Sequence, residues 1–140
     1  MVAATKERNT VKRIGDNGSI GAGATQKIWQ GTIVCRNATG FGAKGITATT
    51  LASLGVAQST VDNTAGADGA VNVPFATGLY KFANQAGDLV TAAMAGLDCF
   101  IVDDQTVAAT NGGATRSIAG KVESLDADGG VWVWIGAQYK

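Results

Sequence analysis

The sequence predicts an all-β protein, a compact barrel or sandwich with one short helix and an extended amino-terminal arm. Three observations carry this prediction. The chain holds 20 glycines and 1 proline among many Val, Thr and Ala residues, a composition that suits short strands and tight turns. Apolar runs of strand length recur along it, and turn residues separate them. The most apolar run, Val131–Ile135, has two alternating faces.

The carboxy-terminal third predicts three strands. Cys99–Val102 is the first, residues 106–110 extend it, and the turn signal Asn-Gly-Gly follows. Ser117–Leu125 is the second, with Ile118 and Val122 expected on one face and Lys121 on the other. The turn residues 126–130 then lead into the third strand, Val131–Ile135.

The strand Val131–Ile135 is apolar on both faces, because Trp132 and Trp134 share one face and Val131, Val133 and Ile135 share the other. A strand of this kind lies inside the fold or has one face against another subunit. Trp132 and Trp134 are therefore predicted to be anchors of the core or of an oligomer.

Six further strands are predicted upstream. Pro74 suggests that its strand is an edge strand or is bulged, because proline lacks a backbone donor. In the last of the six, Leu79 and Lys81 should lie opposite Tyr80 and Phe82. The six strands are residues 27–29, 32–36, 41–44, 52–58, 70–75 and 78–82.

One helix is predicted over Asp88–Asp98. Asp88 can cap its start, and Leu89, Ala92, Ala93 and Leu97 form an apolar stripe at helical spacing. Such a short helix is held by packing rather than by propensity. We expect it to plug one end of the barrel or sandwich.

Residues 1–15 show no apolar period and are separated here as an arm, which leaves residues 16–140 as a single β-rich domain. The arm carries Lys6, Arg8, Lys12 and Arg13 against Glu7 alone. Two interpretations stay open. The arm is a solvated terminus, or it is an extended segment that becomes ordered against a partner.

Composition limits the possible partners. Lys plus Arg and Asp plus Glu number 11 each, so the net charge is zero and a nucleic-acid partner is not expected. No apolar run reaches the ~20 residues of a membrane span and the amino terminus is polar, so we expect no membrane segment, no signal peptide and synthesis in a cytoplasm. Charged residues are only 16%, which favours a surface partly covered by neighbours.

The residue types argue against catalysis. The chain has no histidine, which removes Ser-His and Cys-His pairs and the usual transition-metal sites. Cys35 and Cys99 lie in apolar runs and are predicted to be buried free thiols, with a single disulfide as the alternative.

The paired carboxylates are predicted to serve turns rather than a metal. Asp103 and Asp104 are adjacent in an extended chain and point to opposite faces, and Asp126 and Asp128 lack the glutamate that would complete a calcium loop. The sequence thus predicts no metal, no cofactor and no enzymatic activity.

Several segments together resemble a family of small phage and prophage proteins that decorate or cement the viral head. They include VDDQTVAAT from Val102, NGGATRSIAGKV from Asn111, and the D-x-DGG-VWV ending. The resemblance continues through residues 4–9, 60–63, 66–69 and 78–84, so it covers most of the chain.

This resemblance implies a non-enzymatic virion protein on the outer capsid surface, made in the host bacterial cytoplasm. Its partners would be the major capsid protein and further copies of itself, with a trimer favoured over a dimer. Lys6, Arg8, Lys12 and Arg13 of the arm would contact the partner. Two other classes remain as alternatives: a monomeric carbohydrate-binding β-module that uses the Trp face, and a carboxylate-dependent hydrolase.

Overall fold

A computed structural model describes residues 5–7 and 16–136 and confirms the all-β prediction. Turn residues separate short strands throughout, as the glycine content predicts. The strands are β1 (Asn17–Gly21), β2 (Lys27–Ile28), β3 (Ile33–Arg36), β4 (Gly42–Lys44), β5 (Ala52–Ala57), β6 (Val61–Asp62), β7 (Asn72–Ala76), β8 (Gly78–Asn84), β9 (Asp98–Asp103), β10 (Thr106–Ala108), β11 (Ile118–Leu125) and β12 (Val131–Ile135).

The strands form a closed barrel and an open sheet. The barrel has the order β10-β8-β12-β11-β9, and β9 pairs with β10 to close it. The open sheet has the order β1-β7-β5-β3-β4, and β2 pairs with β6 beside it. Of the two predicted alternatives, a barrel or a sandwich, the structure contains the barrel. It also contains an open sheet that was not predicted.

One continuous core joins the barrel to the open sheet. Val131, Val133 and Ile135 are fully buried inside the barrel, where Phe82 also lies. Ile33, Cys35 and Val56 of the open sheet belong to the same buried cluster. The opposite face of that sheet packs against β2 and β6 around a second core, which consists of Ala22, Ile28, Val34, Ala57 and Val73.

The predicted helix over Asp88–Asp98 is wrong. This segment contains only a 3-10 turn, Ala92–Met94, none of whose residues is buried. Leu89 and Leu97 of the expected apolar stripe are more than half exposed, and Gly96 has a φ of 84°. Asp88 does not cap a helix, because its carboxylate accepts hydrogen bonds from Thr110 and Arg116. Contacts distant in sequence thus override a weak local preference.

Two strand predictions need correction. In β11 the pairing with β9 shifts between Ile118 and Gly120, so Ala119 is buried and Ile118 is half exposed rather than sharing the face of Val122. Pro74 does not mark an edge strand, since β7 pairs with β1 and β5. The pairing of β7 with β5 ends at Phe75, which lies opposite Ala57. Pro74 therefore stands beyond the last pair, where no backbone amide is needed to continue the pairing.

Three other segments differ from the predicted strands. Residues 17–21, where no strand is predicted, form β1 against β7. Val61–Asp62, which also lies outside the predicted strands, pairs with β2. Trp29 lies just outside β2 and is 52% exposed, with Lys27 Nζ 4.3 Å from the centre of its ring.

Candidate functional site

The outer surface of the barrel carries the side chains that the sequence singled out. On β12 the buried residues alternate with Trp132, which is half-buried, and Trp134, which is 38% exposed. On the neighbouring strand β8, Leu79 is paired with Trp134 and Lys81 with Trp132. Alternation places these four side chains on the outside. We call them the Trp wall: Leu79, Lys81, Trp132 and Trp134.

The sequence analysis left two locations open for the tryptophans, the core of the chain or an oligomer interface, and the structure tests the first of them. Neither Trp132 nor Trp134 belongs to the buried core, because closure of the barrel turns the opposite face of β12 inward. The core alternative is thereby excluded for Trp134. The alternative that both are oligomer anchors stays a prediction.

An ion pair borders the Trp wall on its β11 side. Lys121 is paired with Trp134 across the two strands, and its Nζ lies 2.7 Å from Asp98 Oδ1 on β9. Both side chains are partly exposed. The charge beside Trp134 is therefore compensated within the chain.

A second charged group surrounds Lys81. Its Nζ donates to Asp126 Oδ2 at 2.8 Å and to Asp128 Oδ2 at 2.5 Å, both from the turn between β11 and β12. Hydrogen bonds to Asp126 and then Asp128 raise the pKa of Lys81, and the bond from Lys81 lowers the pKa of each aspartate. One ammonium thus holds two carboxylates, which leaves this end of the Trp wall with a negative excess.

A groove of about 710 Å³ lies on the other side of Lys121. Phe100 and Ile118 face each other on β9 and β11 and contribute apolar surface to it. Leu51 and Ser53 line the opposite side, where the amide of Leu51 donates to the hydroxyl of Ser117. The groove continues the exposed apolar surface beyond Lys121.

The far end of the groove is built by the loop 111–116. Gly112, Gly113 and Ala114 have consecutive positive φ angles of 63°, 73° and 67°. The Asn111 carbonyl holds this turn by accepting hydrogen bonds from the amides of Thr115 and Arg116. Ala114 is in a left-handed conformation that disfavours a side chain, so the loop is held by these contacts rather than by local preference.

Arg116 ties this loop to the segment before β9. Its Nη1 lies 2.7 Å from Asp88 Oδ2, and both side chains are mostly buried. Asp88 Oδ2 also accepts from the hydroxyl of Thr110 at 2.7 Å. The Thr110 hydroxyl, followed by the guanidinium of Arg116, lowers the pKa of Asp88. The sequence analysis missed this pair, because residues 88 and 116 carry no shared motif.

The remaining carboxylates of interest lie in turns. Asp103 Oδ1 accepts from the amide of Gln105 between β9 and β10. Burial, followed by the neighbouring Asp103, raises the pKa of Asp104. Asp126 and Asp128 accept from the amides of Ala127 and Gly130 within their own turn. The carboxylates of Asp103, Asp126 and Asp128 thus have the turn role that their sequence context indicates.

Cys35 and Cys99 are buried free thiols, as predicted. Burial raises the pKa of each thiol to about 12. Within residues 5–7 and 16–136, no three His, Cys, Asp or Glu side chains are grouped so that they could hold a metal ion.

The predicted partner-binding residues of the arm are only partly described. Lys6 is exposed, whereas Arg8, Lys12 and Arg13 lie outside the described residues. In the described part of the chain, no helix is long and apolar enough to cross a membrane.

Comparisons with protein-family models, with curated proteins and with solved structures find no match for this chain. The class that the geometry itself defines is a small barrel with partly exposed aromatic side chains on its outer surface.

Proposed function

We propose that this chain is a structural virion protein that attaches to the outer surface of a tailed-phage capsid and cements neighbouring major capsid subunits. The observation that carries the proposal is the Trp wall, where Trp134 is exposed next to Leu79 on a barrel whose core is already complete. Large aromatic side chains at a surface are typical anchors of protein interfaces. The resemblance of the sequence to head-decoration proteins points to the same role.

The composition of the surface supports an interface over a free solvated barrel. Charged residues are 16% of the chain, and Lys81 and Lys121, which lie in or beside the Trp wall, are held in ion pairs within the chain. Covering a charge that is already paired within the chain costs less than covering an unpaired charge, because the partner charge replaces part of the lost hydration. We propose that the barrel acts as a homo-oligomer, with a trimer favoured over a dimer, at the virion surface and without nucleic acid, membrane, cofactor or catalysis.

Cementing requires only contact area that is repeated by symmetry. A standard interface buries roughly 1,600 Å², and attachment of several linked copies multiplies modest affinities. Expansion of a head under internal pressure would then have to break the contacts of the bound protein as well as those of the shell. The protein would act by binding across the boundaries between neighbouring capsid subunits, without making or breaking a covalent bond.

The proposal is tested with purified protein and with heads encoded by the same genome but assembled without this chain. Light scattering gives the oligomeric mass, and cryo-electron microscopy of mixed samples shows whether the heads are decorated at repeated positions. Decoration by the natural chain and its loss in Trp134→Ala are expected. Trp29→Ala is the matched control, because Trp29 is an exposed indole away from the Trp wall. Undecorated heads at saturating protein would refute the proposal.

A second candidate function is carbohydrate binding. The observation that favours it is that two indoles project from one outer face, beside carboxylates that can bind hydroxyl groups. Aromatic rings of this kind offer an apolar face and a polar edge. Glycan binding by a monomer that decorates no head, with loss of binding in Trp134→Ala, would favour this function over the first. No described contact favours the hydrolase alternative, because the carboxylates are used in turns and ion pairs.

A further inference from the structure

The groove beyond Lys121 is an apolar cleft large enough to hold a side chain from another molecule. Its volume of about 710 Å³ lies within the range of roughly 300–1,000 Å³ that is usual for binding clefts. Phe100 and Ile118 form one side of it and Leu51 lines the other. Ile118 is 50% exposed, although its side chain is large and aliphatic. The groove therefore offers apolar surface that a further side chain can cover.

One buried polar group of this groove has no partner. Ser53 lines the groove and is only 7% exposed, and its hydroxyl makes no hydrogen bond in the described part of the chain. The neighbouring hydroxyl of Ser117 is different, because it accepts from the amide of Leu51 and donates to Ala48 O. Buried hydroxyls are paired as a rule, since burial without a partner costs free energy. The Ser53 hydroxyl can thus take a hydrogen bond from a second molecule.

An occupant that suits this groove combines an apolar body with one polar hydrogen. An indole has both, because its rings are apolar and its Nε1–H is a donor. Trp134 presents an indole on the outer surface of the barrel, where it is 38% exposed, and it does not line the groove of its own chain. Trp29 is also exposed, but Lys27 Nζ lies over its ring, so its insertion would bury an ammonium. Trp134 is therefore the better match.

Charge favours the Trp wall as the surface that covers the groove. Lys81 is held by two carboxylates, so this end of the wall has a net charge of −1. Of the residues that line the groove, Arg116 and Lys121 are positive and Asp98 is negative, which gives a net charge of +1. Asp88, which holds Arg116, does not line the groove. Surfaces of opposite charge align with each other as they meet.

We propose that the groove binds Trp134 of a second copy of this chain, so that the Trp wall of one copy contacts the groove of the next. In this contact the indole packs between Phe100 and Leu51. Its Nε1–H donates to Ser53 Oγ after that hydroxyl turns toward the groove in another staggered rotamer. Because the contact joins two unlike surfaces, it is head-to-tail, and such contacts close into rings when the rotation between copies allows it. A ring of three would be the trimer proposed above.

The inference rests on the proposed function, because it names the contact that holds its homo-oligomer together. It assigns Trp134 to a contact between copies, so the loss of decoration expected for Trp134→Ala follows from the loss of linked attachment sites. The two proposals can fail separately. A natural chain that decorates heads as a monomer would refute the contact and leave the cementing role. An oligomer that decorates no head would refute the cementing role and leave the contact.

Mixing two variants of the free protein tests the inference. Trp134→Ala removes the inserting side chain and keeps the groove, whereas Ile118→Arg fills the groove and keeps the indole. Light scattering should show each variant alone as a monomer of 14.1 kDa, at a concentration where the natural chain is an oligomer. A head-to-tail contact needs one intact surface from each molecule. An equimolar mixture should therefore form a dimer of the two variants and nothing larger.

Trp29→Ala and Ile46→Arg are the matched controls. Both side chains are about half exposed, and neither belongs to the Trp wall or lines the groove. Both variants should keep the oligomeric mass of the natural chain. A cooperative urea transition shows that each variant is folded, and Phe100→Arg, on the strand opposite Ile118, replaces Ile118→Arg if that variant does not fold.

Three results would overturn the inference. The first is a natural chain that stays monomeric at millimolar concentration. The second is a folded Ile118→Arg variant that keeps the oligomeric mass, which would mean that the groove takes no part in the contact. The third is a mixture of the two folded variants that contains only monomers.

Discussion

Lys121 and Asp98 form an ion pair of 2.7 Å on the outer surface of the barrel, directly beside Trp134. Because the charges nearest the exposed indole are compensated within the chain, the Trp wall offers a partner mainly apolar contact. Association through this surface should therefore depend less on salt than association through the basic arm, since exposed charges are screened within about 10 Å at 0.1 M salt.

The first prediction separates the two faces of β12. Trp134→Ala should lower the free energy of unfolding by less than about 1.5 kcal/mol, because the side chain lies outside the core. The adjacent Ile135→Ala should cost about 2–5 kcal/mol, because Ile135 is fully buried. Urea unfolding of both variants as monomers measures the difference. Equal losses would mean that the faces of β12 are assigned incorrectly.

The second prediction concerns the thiols. With a pKa of about 12 for Cys35 and Cys99, roughly one thiol in ten thousand is ionised at pH 8, and both are buried. A thiol-reactive dye should therefore leave the native protein almost unlabelled over hours and should label two sites in denaturant. Rapid labelling of either cysteine in native buffer would contradict the burial of that strand.

The third prediction concerns stability in acid. The pKa of Asp88 is lowered in the folded protein by Thr110 first and by Arg116 as well. A lowered folded pKa means that ionised Asp88 stabilises the fold above its unfolded pKa of about 3.9, and that this contribution is lost as the pH falls through the folded pKa. Asp88→Asn should thus be less stable than the natural chain at pH 6, and the difference should shrink in stronger acid.

Urea midpoints for the natural chain and Asp88→Asn at several values from pH 6 downward provide the measurement. Thr110→Val, which removes only the hydroxyl donor, should show the same trend with smaller size. If the difference in stability between the natural chain and Asp88→Asn grows toward acid, the pKa of Asp88 is not lowered in the folded protein.

The fourth prediction concerns the amino-terminal arm. Deletion of residues 2–9 removes Lys6 and Arg8 from a segment that shows no apolar period, so the melting temperature should stay nearly unchanged while attachment to heads weakens. Exposed ion pairs contribute only ~0–1 kcal/mol each, so the loss should be modest for a single site and larger when copies act together. Full occupancy by the truncated protein at the same concentration would show that these residues take no part in attachment.

Local pattern was informative where a strand has one apolar face that the fold must bury. The alternation in β8 correctly separated Tyr80 and Phe82, which pack in the core, from Leu79 and Lys81. Burial of both cysteines followed from their apolar neighbours. These predictions held because strand geometry alternates side chains whatever the strand pairs with.

Local pattern failed where a distant residue decides. The segment Asp88–Asp98 has the spacing of a helix, yet the carboxylate of Asp88 is engaged by Arg116, 28 positions away in the chain. In the same way the bulge in β11, which exposes Ile118, depends on its pairing with β9. No local propensity outweighs such contacts, because a short helix is barely stable by itself.

Composition and local pattern were enough to indicate that the chain is all-β, that Val131–Ile135 has two apolar faces, and that both cysteines are buried. Which face of β12 is turned outward depends on the closed barrel. Closure of the barrel encloses Val131, Val133 and Ile135 with residues from β8, β9 and β11, and it leaves Trp132 and Trp134 outside. A strand with two apolar faces can bury either of them. Which face is buried depends on contacts with strands that lie far away in the sequence.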